Sequence, residues 1–145
     1  MDNLKIAPTD VEIAARTLIN TPYKHQGRTR YGLDCSGVIV VTAMLAGLTD
    51  SIWGETNYSR NSNNSLQKGL ERYCYPMEKL QVGTVALFKL SPIPYHCGII
   101  TNYEGDLGLL HAYENVGKVR EHALIPWWRD KIYKIYGFPN VNYDC

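Results

Sequence analysis

The chain has 145 residues, of which 45% are hydrophobic and 20% charged, a composition typical of one soluble globular domain. A formal net charge of +1 argues against a nucleic acid or another polyanion as the partner. No apolar run approaches the ~20 residues of a membrane span, and the first ten residues lack a basic-then-apolar signal. We therefore expect a chain without a membrane span or signal peptide that is synthesised in the cytoplasm.

Two helices are predicted before the middle of the chain. Thr9 and Glu12 have the spacing of a capping box, and the apolar residues after them predict a first helix over about residues 10–19. A polar loop over 23–33 then leads to a second apolar run, which predicts a buried helix over 38–45.

The start of the second helix carries the first chemical signal, the sequence Asp-Cys-Ser-Gly at 34–37. Asp34 is the expected N-cap, because its carboxylate can accept from an unpaired backbone N–H. Cys35 would then lie on the first turn, where the helix dipole favours a thiolate and free N–H groups can hold an oxyanion. The alternative is a structural role, since free cysteines are commonly buried and fill space.

The second half of the chain is rich in strand signals. After a polar loop at 49–64, which is either functional or a tolerated insertion, a short amphipathic helix is expected over 65–73. A helical turn is expected at 125–131, and apolar or alternating runs predict strands at 85–88, 95–101, 108–113, 118–122 and 134–138. Helices followed by strands favour an α+β fold with an antiparallel sheet, and no repeat or linker divides the single domain expected at 1–145.

Two histidines are candidate partners of Cys35. His96 opens an apolar strand, where we expect it to face a helix packed on the sheet, and His111 lies near the end of the next strand. If these strands form a hairpin, the three residues would act as nucleophile, base and orienting group. The alternative is two structural histidines with ordinary hydrogen bonds. His25 is a second candidate base, whereas the alternating strand of His122 predicts a solvated ring.

The remaining cysteines give no sign of a metal or disulfide site. The spacing of Cys35, Cys74, Cys97 and Cys145 contains no CxxC pattern, so neither a zinc site nor a disulfide framework is predicted. In a reducing compartment we expect free thiols.

Taken together, these segments resemble the NlpC/P60 family of papain-like cysteine peptidases that cut bacterial cell-wall peptides. The most specific signal is LDCSG at 33–37, which resembles the nucleophile motif of the family. Further similar segments are TPYKHQG at 21–27, LQVGTVALF at 80–88, YHCGII at 95–100 and LHA at 110–112. The resemblance implies a papain-like NlpC/P60 fold, in which N-terminal helices carry the nucleophile at a helix N-terminus and pack on a mostly antiparallel sheet.

The resemblance also implies a role for each matching residue. Cys35 would attack the peptide carbonyl, His96 would be the general base and later the acid, and His111 would orient His96. Tyr23 would help to stabilise the oxyanion or to hold the substrate. Asp34 and Ser36 would line the site, where members of the family bind the amine end of the stem peptide. No metal and no organic cofactor is implied. Cys97 departs from the family pattern, because a small aliphatic residue is usual beside the histidine.

The implied substrate is the stem peptide of peptidoglycan, cut at D-glutamyl or other D-amino-acid bonds by a cysteine-type endopeptidase. The stretch HALIPWWRDKIYKIYGFP at 122–139 resembles the phage-encoded branch of the family, and a chain without a signal peptide fits that branch. We therefore expect a phage or prophage tail protein, or a toxin delivered by a secretion machine, that acts at the cell wall. Two alternatives remain: a structural tail-assembly subunit with a vestigial site, and an acyltransferase or amidase on the same fold.

Overall fold

The computed structural model describes residues 5–49 and 64–144. The loop expected at 49–64 lies, apart from its two end residues, outside this part of the chain, and so does Cys145. The elements in chain order are α1 (Pro8–Arg16), β1 (Arg28–Thr29), β2 (Gly32–Leu33), α2 (Cys35–Leu45), α3 (Ser65–Tyr73), β3 (Tyr75–Met77), β4 (Val85–Phe88), β5 (His96–Tyr103), β6 (Asp106–Tyr113), β7 (Lys118–Ala123), α4 (Pro126–Arg129) and β8 (Ile132–Gly137).

Helix α1 begins two residues earlier and ends three residues earlier than the sequence predicts. The predicted cap at Thr9 is wrong: Pro8 takes the first helical position, where its missing N–H costs nothing, and the cap falls at Ala7. Glu12, expected to complete a capping box, instead accepts a hydrogen bond from the backbone N–H of Asn102. This buried carboxylate therefore ties α1 to β5.

Six strands form one antiparallel sheet in the order β3-β8-β4-β5-β6-β7. Helices packed on a mostly antiparallel sheet confirm the predicted α+β class. Two short pieces escaped prediction: the hairpin β1-β2 inside the polar loop, and the edge strand β3. Pro76 lies in the middle of β3, where an edge position makes the missing N–H tolerable.

The two faces of this sheet carry different cores. The helix face packs against α1 and α2, and its core is mostly aliphatic, with cysteine, one tyrosine and Phe138 as the exceptions. Its strand residues are Val85, Leu87, Cys97, Ile99, Leu110, Ala112, Val119 and Tyr136. The aromatic face packs under α4 and contains Ala86, Phe88, Ile100 and Leu109 together with Trp128. Because side chains alternate along a strand, neighbouring residues of β5 and β6 lie on opposite faces. This alternation decides where each candidate site residue lies.

Candidate active site

Cys35 is the first residue of α2, as the sequence predicts. Asp34 has an extended backbone and caps the helix, with its carboxylate accepting from the N–H of Gly37 at 2.8 Å. Gly37 leaves room for the preceding loop, because a Cβ there would lie 2.2 Å from the carbonyl oxygen of Gly27. The loop therefore crosses close over the first turn and holds the position of the nucleophile candidate.

The carboxylate of Asp34 also joins that loop to the helix. It is 2% exposed and accepts from the backbone N–H of Gln26 at 2.9 Å, from Arg28 at 3.0 Å and from the hydroxyl of Ser36 at 3.1 Å. Arg28 donates to the Ser36 hydroxyl as well, at 3.2 Å. The two side chains expected to line the site, Asp34 and Ser36, thus lie beside Cys35 but bind groups of this chain.

The thiol of Cys35 is half-buried and polarised. A hydrogen bond with Cys97, followed by a hydrogen bond and the charge of His96, lowers the pKa of Cys35 to about 5, against the opposing effects of burial and of the Asp34 charge. Its Sγ lies 3.7 Å from the carbonyl oxygen of Tyr95. A thiol with this pKa is largely a thiolate near neutral pH, which is the nucleophilic form.

Cys97 is a site residue that sequence reasoning left unassigned. It is fully buried on the helix face, and burial together with its hydrogen bond to Cys35 raises its pKa well above the usual range. Cys97 therefore stays protonated and donates its S–H to the Cys35 thiolate. The available signal was its departure from the family pattern, a polar thiol in place of a small aliphatic residue beside His96.

His96 lies on the aromatic face, and the prediction that it faces the packed helix is wrong. Alternation along β5 turns Cys97 towards α2 and His96 the other way, where its ring contacts Phe88, Tyr113 and Trp128 at centroid distances of 5.7, 5.2 and 5.5 Å. His96 is, however, the first residue of β5, so its ring still interacts with the thiol of Cys35. The base candidate and the nucleophile candidate meet at the end of the sheet.

His111 adjoins His96, as the expected pairing of β5 and β6 predicts. The Nε2 atom of His96 lies 2.7 Å from the Nδ1 atom of His111, whose side chain is almost fully buried. Gly98 makes room for this contact, because a Cβ there would lie 2.9 Å from the Cβ of His111. Burial, together with the charges of His96 and His122, lowers the pKa of His111 to about 2, so this ring is neutral.

His122 is not the solvated side chain that the sequence predicts. Its Nε2 atom lies 2.9 Å from the Nε2 atom of His111, and its Nδ1 atom lies 2.9 Å from the carbonyl oxygen of Ala123. The strand β7 is at the edge of the sheet, as expected, but His122 is half-buried on its aromatic side. Three imidazole rings therefore form a continuous row.

Tyr23 lies at the start of the loop that leads to Cys35 and packs against the helix-face core. Its backbone N–H donates to the carbonyl oxygen of Gly117 at 2.8 Å, and an isolated bridge joins it to Leu33. These backbone contacts fix Tyr23 between the start of β7 and the start of α2. His25, the second candidate base, follows in the same loop; the interactions that shift the pKa of Cys35 come instead from Cys97, His96 and Asp34.

A cavity of about 300 Å³ opens on the aromatic face beside the histidines. His111 and His122 form part of its wall together with two aromatic rings, two cations and one carboxylate that pairs with Arg16: Tyr113, Trp128, Lys118, Arg120 and Glu121. The site thus combines a polarised thiol, a row of imidazoles and a basic flank.

Neither a metal site nor a membrane segment is found within residues 5–49 and 64–144. There, no three His, Cys, Asp or Glu side chains converge as metal ligands, since the three rings form a row and bind one another. In the same ranges, no helix has both the length and the apolar character needed to cross a bilayer. The cysteines that these ranges contain, Cys35, Cys74 and Cys97, are free thiols.

Comparison with known proteins identifies the family and the fold. A sequence profile described as the NlpC/P60 family matches residues 20–135. The crystal structure of the NlpC/p60 domain of the peptidoglycan hydrolase SagA has a TM-score of 0.65 and 16% identity, with 92% of this chain and 100% of that chain covered. A search of curated proteins finds no significant match.

Two further solved structures are similar. An NlpC/P60 family protein from Bacillus cereus ATCC 10987 has a TM-score of 0.68 and 19% identity over 94% of this chain, which spans only 42% of that protein. The P60 domain of an antigen from M. avium subspecies paratuberculosis has a TM-score of 0.60 and 15% identity, covering 94% of this chain and 96% of that domain. At these identities the structures show a common fold.

Proposed function

We propose that this chain, which belongs to the NlpC/P60 family, is a cysteine peptidase that hydrolyses peptide bonds of bacterial peptidoglycan. The observation that carries the proposal is the polarised thiol of Cys35, which opens α2 and interacts with an imidazole that is itself held by a second imidazole. A nucleophile, a base and an orienting group in this order are the requirements of covalent peptide hydrolysis.

The first half of the reaction would use Cys35 and His96. The Cys35 thiolate attacks the carbonyl carbon of the scissile bond, a C–S bond forms, and the carbonyl oxygen becomes an oxyanion. The N-terminus of α2 favours that negative charge, and we assign Tyr23 an assisting role. Protonated His96 then gives its proton to the departing amine as the C–N bond breaks, which leaves an acyl-enzyme.

The second half regenerates the free thiolate. His96, now neutral, accepts a proton from a water molecule while that water attacks the thioester carbon. The C–S bond breaks, the carboxylic product leaves, and the proton taken from water stays on His96 beside the Cys35 thiolate. His111, neutral and buried, holds the His96 ring in place through both halves.

Peptidoglycan stem peptides suit the surroundings of this site. They carry free carboxylates, and Lys118 and Arg120 place positive charge on the wall of the cavity beside the histidines. The similar SagA domain comes from a peptidoglycan hydrolase. Within this substrate class we propose D-glutamyl or other D-amino-acid bonds as the target. Arg28 already forms an ion pair with the Asp34 carboxylate, so other groups of this chain would bind the amine end of the peptide.

A phage or prophage tail remains the proposed setting, on the resemblance of residues 122–139 to the phage-encoded branch. That stretch forms the end of β7, α4 and β8, and its Trp128 packs against the histidine rings. A tail, or a secretion machine, would carry the chain from the cytoplasm to the wall.

Digestion of purified peptidoglycan and soluble muropeptides by the wild type and by Cys35→Ala tests the proposal. Mass spectrometry should show new peptide fragments from the wild type and none from the variant, whose fold should remain intact because removal of a half-buried Sγ leaves the core unchanged. Fragments from both proteins would refute Cys35 as the nucleophile. Products from neither, on walls of several chemotypes, would favour a structural tail subunit or acyl transfer to another substrate.

A further inference from the structure

The row of histidines continues one ring beyond the proposed nucleophile, base and orienting residue. We propose that His122 is a positioning residue, which fixes the tautomer of His111 and, through it, keeps the Nδ1 atom of His96 available to the Cys35 thiol. This inference rests on the proposed function and assigns a role to a side chain on the edge strand β7.

The contacts form an unbroken line from a backbone carbonyl to the thiol. The carbonyl oxygen of Ala123 lies 2.9 Å from Nδ1 of His122, and Nε2 of His122 lies 2.9 Å from Nε2 of His111. Nδ1 of His111 lies 2.7 Å from Nε2 of His96, and the His96 ring interacts with Cys35. Both nitrogens of His111 and both nitrogens of His122 are thus engaged, and His96 has Nδ1 left for the thiol.

The carbonyl end gives this line a direction. A carbonyl oxygen only accepts, so Nδ1 of His122 carries the hydrogen, and Nε2 of the neutral ring must accept. His111 is neutral, because its pKa is lowered to about 2, and it therefore donates from Nε2 and accepts at Nδ1. His96 then donates from Nε2, and its Nδ1 lone pair is the one that takes the proton of the Cys35 thiol.

The same direction holds after the thiol proton has moved. Protonated His96 carries a hydrogen on each nitrogen, so it still donates from Nε2 to His111 and can donate from Nδ1 to the thiolate or to the leaving amine. Neither His111 nor His122 has to change its tautomer during the reaction. The row therefore orients the base, and its hydrogen bonds need not rearrange during the reaction, as expected of a preorganised site.

The fold holds the His122 ring in this orientation. Leu109 of β6 pairs with His122 of β7, and the two rings of His111 and His122 meet at an angle of 68° with centroids 5.0 Å apart. Trp128 of α4 lies 6.3 Å from the His122 ring. A phenyl ring would satisfy such packing equally well, but it would leave the Nε2–H of His111 without an acceptor.

Two substitutions separate a hydrogen-bonding role from a packing role. His122→Phe keeps a ring and removes the acceptor, whereas His122→Gln gives up the ring but can place an amide oxygen near the position of Nε2. We expect kcat on muropeptides to fall about tenfold to a hundredfold in the Phe variant, a part of the roughly 10²–10⁴-fold that general acid–base catalysis supplies. KM should change little, and the Gln variant should recover most of the lost kcat.

The reverse order, with Phe active and Gln impaired, would overturn the proposal in favour of simple packing. Thermal unfolding of both variants controls for misfolding. If the Phe variant fails to fold, the Gln variant against the wild type still decides the question, because a packing role predicts that Gln is the damaging substitution.

Nitrogen-15 NMR of the wild type gives a reading that does not depend on catalysis. At mildly alkaline pH, His111 should be the Nε2–H tautomer and His122 the Nδ1–H tautomer. The opposite tautomer at either ring would refute the proposed direction of the row. A wild type that cuts no wall peptide but shows these tautomers would refute the proposed function alone, so the two failures are distinguishable.

Discussion

The two faces of the sheet stabilise the protein and prepare its chemistry by different means. Leu110 and Leu109 are adjacent on β6 and both fully buried, yet Leu110 packs towards α1 and α2 among aliphatic side chains, while Leu109 belongs to the aromatic core under α4. The helix face contains Cys97, whose thiol lowers the pKa of the nucleophile candidate. The other face carries the three imidazoles, which hydrogen bonds arrange in a row.

This difference explains why the site lies at the end of the sheet. The thiol of Cys35 comes from the helix side, and the His96 ring comes from the opposite face, so the two meet where β5 begins. Burial of apolar side chains holds α2 on the sheet and requires no particular direction of contact. The imidazole nitrogens, in contrast, need hydrogen-bond partners at particular angles. Each face thus supplies one of the two reacting groups.

The largest effect expected from breaking one face is a loss of stability. Leu110→Ala should lower the free energy of unfolding by about 2–5 kcal/mol, because it leaves a cavity between β6 and the helices. Chemical denaturation measures the loss. In the protein that remains folded, kcat should be close to that of the wild type, since no imidazole contact is removed.

Leu109→Ala is the matched control on the aromatic face. It should cost a similar free energy of unfolding, but it should also lower kcat, because Leu109 pairs with His122 and lies against the Gly98 backbone beneath His111. Equal effects of the two substitutions on kcat would contradict the claim that only the aromatic face positions the imidazoles.

The pH dependence of stability should show an effect that is smaller for each pH unit. The pKa of His111 falls from an ordinary value of 6.5 to about 2 on folding, so the unfolded chain binds the proton more readily. Its contribution to stability is fully present above pH 6.5 and is lost as the pH falls towards 2, by up to about 1.4 kcal/mol for each pH unit. His111→Gln should show a shallower acid slope in urea unfolding experiments. Identical slopes in both proteins would mean that the ring is not held neutral.

Local features of the site could be predicted from the sequence. Asp34, Cys35 and the apolar run after them specify a capped helix with the thiol on its first turn, and each of these signals lies within a few residues of the others. The approach of His111 to His96 followed from one expected hairpin between neighbouring strands. The proximity of these two histidines could be predicted without knowing the order of the other strands.

The features that escaped prediction depend on longer-range geometry. The contact of His122 with His111 requires the register of a third strand, and the contact of Cys97 with Cys35 requires the docking of α2 on β5. The face occupied by His96 depends on where alternation starts in β5, which a short apolar run does not specify. Pro8 sets the start of α1 in the structure, whereas the prediction gave more weight to the capping-box spacing of Thr9 and Glu12.

The most direct test of the account is the pH dependence of alkylation of Cys35 by iodoacetamide, with each cysteine followed by mass spectrometry. Thiolate is present above the pKa, so the rate at Cys35 should stay high from neutral pH down to about 5 and fall below it, while Cys74, whose pKa burial raises to about 12, stays unlabelled. A midpoint for Cys35 near that of an ordinary thiol, about 8.5, would contradict the claim that the two faces of the sheet together activate this residue.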